Sequence, residues 1–101
     1  MKAIKILDYS GDFAENKDVA RKIRIEHIDP IIERDKDITL NFNGITSATQ
    51  SFIHALISQT IRNYGINSLE LIHFKDCNDR VKTIIEIVIE YVQDGIFVDE
   101  V

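Results

Sequence analysis

Residues Asp37-Ile-Thr-Leu-Asn-Phe-Asn-Gly-Ile-Thr-Ser-Ala-Thr-Gln-Ser-Phe-Ile-His-Ala-Leu56 constrain this chain more than any other stretch. Ile38, Leu40 and Phe42 alternate with Thr39, Asn41 and Asn43, the period-two pattern of a strand with one buried face. Gly44 ends the alternation. Thr46, Ser47, Thr49 and Ser51 follow, and from Phe52 the apolar residues return at helical spacing. The stretch therefore predicts a strand, a tight loop and a helix start crowded with hydroxyls. A helix N-terminus carries unpaired N–H groups and partial positive charge, so such a corner suits an anion or a negatively charged modification.

The flanking sequence repeats the strand-helix alternation. Lys2 to Leu7 alternates charged and apolar residues and predicts a first strand, with Tyr9-Ser-Gly-Asp12 as a turn. From Glu15, Val19, Ile23 and His27, with Ala20, Ile28, Ile31 and Ile32 beside them, predict a helix. Pro30 lacks a backbone N–H and predicts a bend near Asp29, where Asp29-Pro30 also reads as an N-cap followed by a first-turn proline. A second helix is predicted from about Gln50 to Asn63, capped by Thr49 and stopped by Gly65, with Phe52 a core anchor. Ser68 to Phe74 reads as a third strand, central and at least partly covered on both faces. Lys75 to Asp79 is a polar loop, and Val81, Ile84, Ile85, Val88, Ile89 and Val92 form the apolar stripe of a third helix. Asp94-Gly95 closes it, leaving Ile96 to Val98 as an edge strand or a tail packed on a neighbour. Alternating elements on short loops imply α/β architecture: a largely parallel or mixed sheet of about four strands with three helices, in a single domain over 1–101. In such sheets functional groups gather at the carboxyl ends of strands, here the Gly44–Ser51 and Lys75–Asp79 loops.

Composition narrows the function. A net charge of −5 with no run of Lys or Arg disfavours nucleic-acid binding, which needs clustered positive charge. Cys77 is the only cysteine, so no intramolecular disulfide can form, in keeping with a reducing cytoplasm. The N-terminal apolar segment is short and charged, unlike a signal peptide, and no stretch approaches ~20 uninterrupted apolar residues. A cytoplasmic location without membrane contact is the expectation. His27, His54 and His73 fall on separate elements, with no i, i+4 pair of the kind a helical metal site uses. Neither a metal nor another cofactor is expected. Ile87, opposite the third helix's main stripe, combines with Ile96 and Phe97 as a candidate surface for self-association as a homodimer or for a partner.

Asn41 to Leu56 resembles the core segment of STAS domains, the sulfate-transporter and anti-sigma-factor-antagonist fold, and most closely a small bacterial STAS-like family of unknown function. In that fold an apolar strand ends in a loop whose Asp-Ser-Ser-Gly-type motif opens a helix. In register, Ile45 falls on the apolar residue before the motif, Thr49 on the Asp, Gln50 on the first Ser, Ser51 on the second and Phe52 on the Gly. The resemblance implies a non-enzymatic cytoplasmic regulator that docks onto an ATP-binding protein of the histidine-kinase type, with Ser51 on the serine that the partner kinase phosphorylates. Thr49 removes a carboxylate from the motif, and Phe52 introduces a ring where a kinase would approach. The partner surface expected on this basis comprises Thr46, Ser47, Thr49, Gln50, Ser51 and His54, with Asp76 and Asp79 from the neighbouring loop. The alternative is a small α/β enzyme or nucleotide-binding domain using the Gly44–Ser51 and Lys75–Asp79 loops, with Ser51 or Cys77 as nucleophile. Neither a glycine-rich phosphate loop nor a nucleophile elbow accompanies them.

Overall fold

A computed structural model describes residues 2–95 of the chain. Strands β1 (Lys2–Lys5), β3 (Ile38–Asn41) and β5 (Ile72–Lys75) form a parallel sheet in the order β1-β3-β5. A second parallel pair joins β2 (Phe13–Ala14) to β4 (Ser47–Ala48). The helices are α1 (Leu7–Ser10), α2 (Lys17–Ile23), α3 (Asp29–Glu33), α4 (Gln50–Tyr64) and α5 (Asp79–Gln93). The class is α/β, with five short strands and five α-helices among the described residues in place of about four and three.

The strand order explains where the core lies. Both crossovers, β1 to β3 and β3 to β5, step in the same direction, and right-handed connections then put their helices on one side of the sheet. Ile4, Leu40 and Phe74 align across the three strands and face that helical layer with Ile38 and Ile72, which also pair in register. The alternate rows, Ala3-Thr39-His73 and Lys5-Asn41-Lys75, form a polar open face. Among the described residues the central strand is therefore β3, and β5 lies at the edge with His73 and Lys75 exposed, in place of the central strand, at least partly covered on both faces, expected at 68–74. That strand is also shorter than expected because Ile66–Leu71 forms a 3₁₀ turn. Gly65 adopts φ 91°, and both the amide and the hydroxyl of Ser68 donate to its carbonyl, at 3.0 and 2.6 Å. These local bonds wind the chain before it can pair.

The segment after Asn16 remains helical past Pro30. Asn16 caps α2 by accepting from the amides of Asp18 and Val19. Between α2 and α3, Arg24–Ile28 widens into a π turn, with the Asp29 amide donating to the Arg24 carbonyl. In a regular α-helix the Pro30 ring would meet the carbonyl four residues back, that of Glu26; the wider turn accommodates it. The expected bend is thus a bulge, and Asp29 does not cap. Its carboxylate instead accepts from Arg24 Nη1 at 3.3 Å and from the Thr60 hydroxyl, while Arg24 Nε donates to the Ala55 carbonyl at 3.2 Å. This network is largely buried and ties the bulge to α4, the middle helix, whose residues Phe52 to Ser58 are all buried.

Phe42 and Phe52 are the largest wholly enclosed side chains, and each contributes on the order of 2–3 kcal/mol by burial. Phe52 is thus the core anchor expected. Along α5, Val81, Ile85, Val88 and Val92 are buried, and Ile87 is half-buried. Ile96 and Phe97, with the strand or tail expected there, lie outside the described residues. No helix among the described residues is long and apolar enough to cross a membrane.

Candidate functional site

The carboxyl ends of β3 and β5 deliver two loops to one corner. After β3, the Asn41 side chain accepts from the Asn43 amide at 2.8 Å, and Gly44 takes φ 85°. A Cβ at Gly44 would lie 2.7 Å from Leu7 Cδ2, so both the backbone conformation and the space call for glycine. Phe42 and Ile45, both buried, pin the turn into the core, and the Ile45 amide donates to the Phe42 carbonyl.

The hydroxyl-rich segment is then fixed from two sides. Thr46 donates to the Asp12 carbonyl from its amide at 2.8 Å and from its hydroxyl at 3.0 Å, and the Thr49 amide donates to the Ala14 carbonyl. Between them Ser47 pairs with Phe13, and Ala48 with Ala14. From the other side Asn78 Nδ2 donates to the carbonyls of Ile45 at 3.1 Å and Thr46 at 2.9 Å, while its Oδ1 caps α5 by accepting from the Val81 amide. One side chain thus starts a helix and couples the two loops that the sequence marks as functional.

Thr49 caps α4, its hydroxyl accepting from the Phe52 amide at 3.1 Å. Gln50 and Ser51 are exposed in the first turn, where their amides have no intrahelical acceptor. Thr46 is exposed with its hydroxyl engaged, and Ser47 and Thr49 are half-buried. Asp76, in the left-handed region at φ 57°, and Asp79, in the first turn of α5, are exposed. Asp79 and Ser47 meet in an open groove of about 470 Å³ that Ala48, Arg80, Thr83 and Ile84 complete.

His54 does not belong to this surface. It is 5% exposed, its Nδ1 lies 2.8 Å from the Ser58 hydroxyl, and its ring stacks on Tyr91 of α5. The expectation fails because α4 is covered on several sides, so one turn beyond its exposed start the helix is already interior. His27 contacts the Tyr9 hydroxyl and His73 the Asp37 carboxylate. Among the described residues no three His, Cys, Asp or Glu side chains group as metal ligands would.

Cys77 is half-buried, and its thiol lies 3.9 Å from the Lys75 carbonyl. Desolvation first, then the neighbouring Asp76 carboxylate, pushes its pKa up, and Lys82 opposes them in part. This is the reverse of an activated nucleophile. Two residues at the corner escape the sequence reading. Arg80 carried no distinguishing pattern, and Phe13 sits in a strand of two residues, too short to display a period.

Fold and corner together define a small parallel α/β module whose exposed chemistry lies where a loop opens a helix. The family model described as "STAS-like domain of unknown function (DUF4325)" matches residues 19–82, and the chain belongs to that family. No curated protein and no solved structure matches the chain. The matched span runs from α2 into the first turn of α5 and so contains β4, the Thr49 cap, Ser51 and Asn78, whereas β1, α1 and β2 precede it.

Proposed function

We propose that this protein is a non-catalytic regulatory module of the anti-sigma-factor-antagonist type, docking onto a histidine-kinase-type ATP-binding protein through the Thr46–Ser51 corner and the adjacent Asp76 and Asp79. The observation that carries the reading is Ser51. It is exposed, its hydroxyl makes no hydrogen bond among the described residues, and the cap of its helix is a different side chain, Thr49. The residue is therefore available for modification without loss of the cap. Phe52, at the motif position held by glycine in STAS antagonists, is fully buried and leaves the hydroxyl uncovered.

A phosphate on Ser51 would add a charge of roughly −1.5 to −2 beside first-turn amides without intrahelical partners, where the helix dipole favours it by about 0.3–1 kcal/mol. Phosphorylation would thus preserve the fold and change the charge of the surface a partner meets, which is what a binding switch requires. The test is intact-mass measurement after incubation with candidate histidine-kinase-type ATPases and MgATP. One added phosphate on the wild type and none on Ser51→Ala is the expected result; an unmodified wild type that nevertheless binds the ATPase would remove the switch and keep the docking.

A further inference from the structure

Beside the serine corner, the β2–β4 ribbon has one buried and one outward face. Ala14 and Ala48 pair in register and are 0% and 7% exposed. Phe13 and Ser47 also pair in register on the opposite face, and Phe13 is 46% exposed. A large aromatic side chain is therefore held on a rigid backbone next to Ser47, because Thr46 and Thr49 are bonded to the residues on either side of it. Exposed aromatics of this kind anchor protein interfaces, since they bury much area at little conformational cost.

Along the chain, the charge flanking Phe13 has one sign. Residues 6–16, Ile-Leu-Asp-Tyr-Ser-Gly-Asp-Phe-Ala-Glu-Asn, contain Asp8, Asp12 and Glu15 and no Lys, Arg or His, and those three carboxylates are exposed. Of the flanking cations, Lys17 already has a partner and Lys5 lies on the open face of the sheet, while across the ribbon Arg80 lines the groove beside Ser47 together with the carboxylate of Asp79. The segment also precedes residue 19, where the family match begins, so it is a feature of this chain beyond the matched region.

From this placement we infer that Phe13 is the anchor of the docking surface and that its partner protein presents an apolar pocket rimmed by Lys or Arg. The inference rests on the docking function proposed above and specifies the chemistry of the partner. The ring enters the pocket, while Asp8, Asp12 and Glu15 face the basic rim and steer the encounter. Segments outside the matched family region would then select the partner, and the Ser51 corner would carry the switch.

The experiment uses the full chain, ¹⁵N-labelled, and a decapeptide of alternating Lys and Leu as the probe. Chemical-shift changes should centre on residues 12–15 and 47–49. Phe13→Ser should weaken binding by about tenfold or more, as loss of an interface anchor does. Phe13→Tyr should restore it, and Asp12→Asn with Glu15→Gln should flatten its salt dependence. Because Phe13 is partly exposed, an unchanged thermal midpoint will establish that Phe13→Ser still folds. Equal binding by Phe13→Ser, or shifts centred on Asp35 and Asp37 or on Glu86 and Glu90, would overturn the proposal. With the ATP-binding partner in hand, lost binding on Ser51→Asp but not on Phe13→Ser would also overturn it while leaving the docking corner intact. Peptide binding that depends on Phe13, in a protein no such ATPase binds, would instead count against the docking function alone.

Discussion

Replacing Asn78 by alanine should cost far more than an exposed loop substitution ordinarily does. Three hydrogen bonds go at once: the cap to the Val81 amide at 2.9 Å and the two to the carbonyls of Ile45 and Thr46 at 3.1 and 2.9 Å. A lost N-cap is worth about 1 kcal/mol. The bond to the part-buried Ile45 carbonyl adds about 1–2 kcal/mol because the acceptor is left poorly solvated, and the more exposed Thr46 carbonyl adds less. The total is about 2–4 kcal/mol, a large fraction of the roughly 5–15 kcal/mol typical of a domain. In urea the midpoint should fall by about 1–2 M at a slope of about 2 kcal/mol/M, the middle of the usual range for small proteins. Asn78→Ser separates the contributions, since a serine still caps but has no amide to reach across to the loop. It should recover about 1 kcal/mol yet leave the amides of Thr46 and Thr49 exchanging faster with solvent than in the wild type. If Asn78→Ala costs under about 0.5 kcal/mol, the range of an inert surface change, Asn78 does not couple the loops.

Other perturbations test the elements that shape the corner. Gly44→Ala should destabilise by about 1–3 kcal/mol in thermal unfolding, since it adds left-handed strain to a close approach on Leu7, whose flexible end relieves only the second. Asp29→Ala should cost about 3 kcal/mol in urea by leaving the buried Arg24 guanidinium without its counter-ion, and Arg24→Met combined with Asp29→Leu should cost less than Asp29→Ala alone. Cys77 should react with iodoacetamide more slowly than an unperturbed thiol at neutral pH, its rate climbing only above the ordinary thiol range. Asp76→Asn should shift that rate profile to lower pH and Lys82→Gln to higher pH, because the carboxylate raises the thiol's pKa and the ammonium lowers it.

Much of the scaffold is legible in the sequence because its signals are local. The Thr49 cap, the Gly65 stop and the apolar stripes of α4 and α5 each follow from a few neighbouring residues. What escapes depends on competition between local and distant contacts. The sequence around Pro30 predicts a disturbance, but a bulged helix rather than a break follows only once Arg24 reaches Ala55 and Asp29 reaches Thr60, each thirty-one positions away. At 68–71 the alternation of Leu69 and Leu71 imitates a strand, and the bonds from Ser68 to Gly65 override it. The single-sided sheet is a property of strand order, which the pattern within any one strand does not encode.

The candidate site divides along the same line. Thr46 to Ser51 and the Lys75–Asp79 loop are recognisable by composition and do converge, since both follow strands of one parallel sheet. His54 is buried rather than on the surface, because helical spacing alone does not say that α4 is the middle helix. Phe13 is not legible in the sequence because its neighbour across the ribbon, Ser47, is thirty-four positions away.

The most direct test of the central claim is the affinity of a histidine-kinase-type ATP-binding partner, measured by calorimetry, for the wild type, Gln50→Lys, Ser51→Asp and Glu90→Lys on the far part of α5. Docking through the corner predicts at least about tenfold weaker binding for the Gln50 and Ser51 variants, the loss expected when an interface contact is replaced by misplaced charge, and unchanged binding for Glu90→Lys. Equal affinities across all four proteins would contradict it.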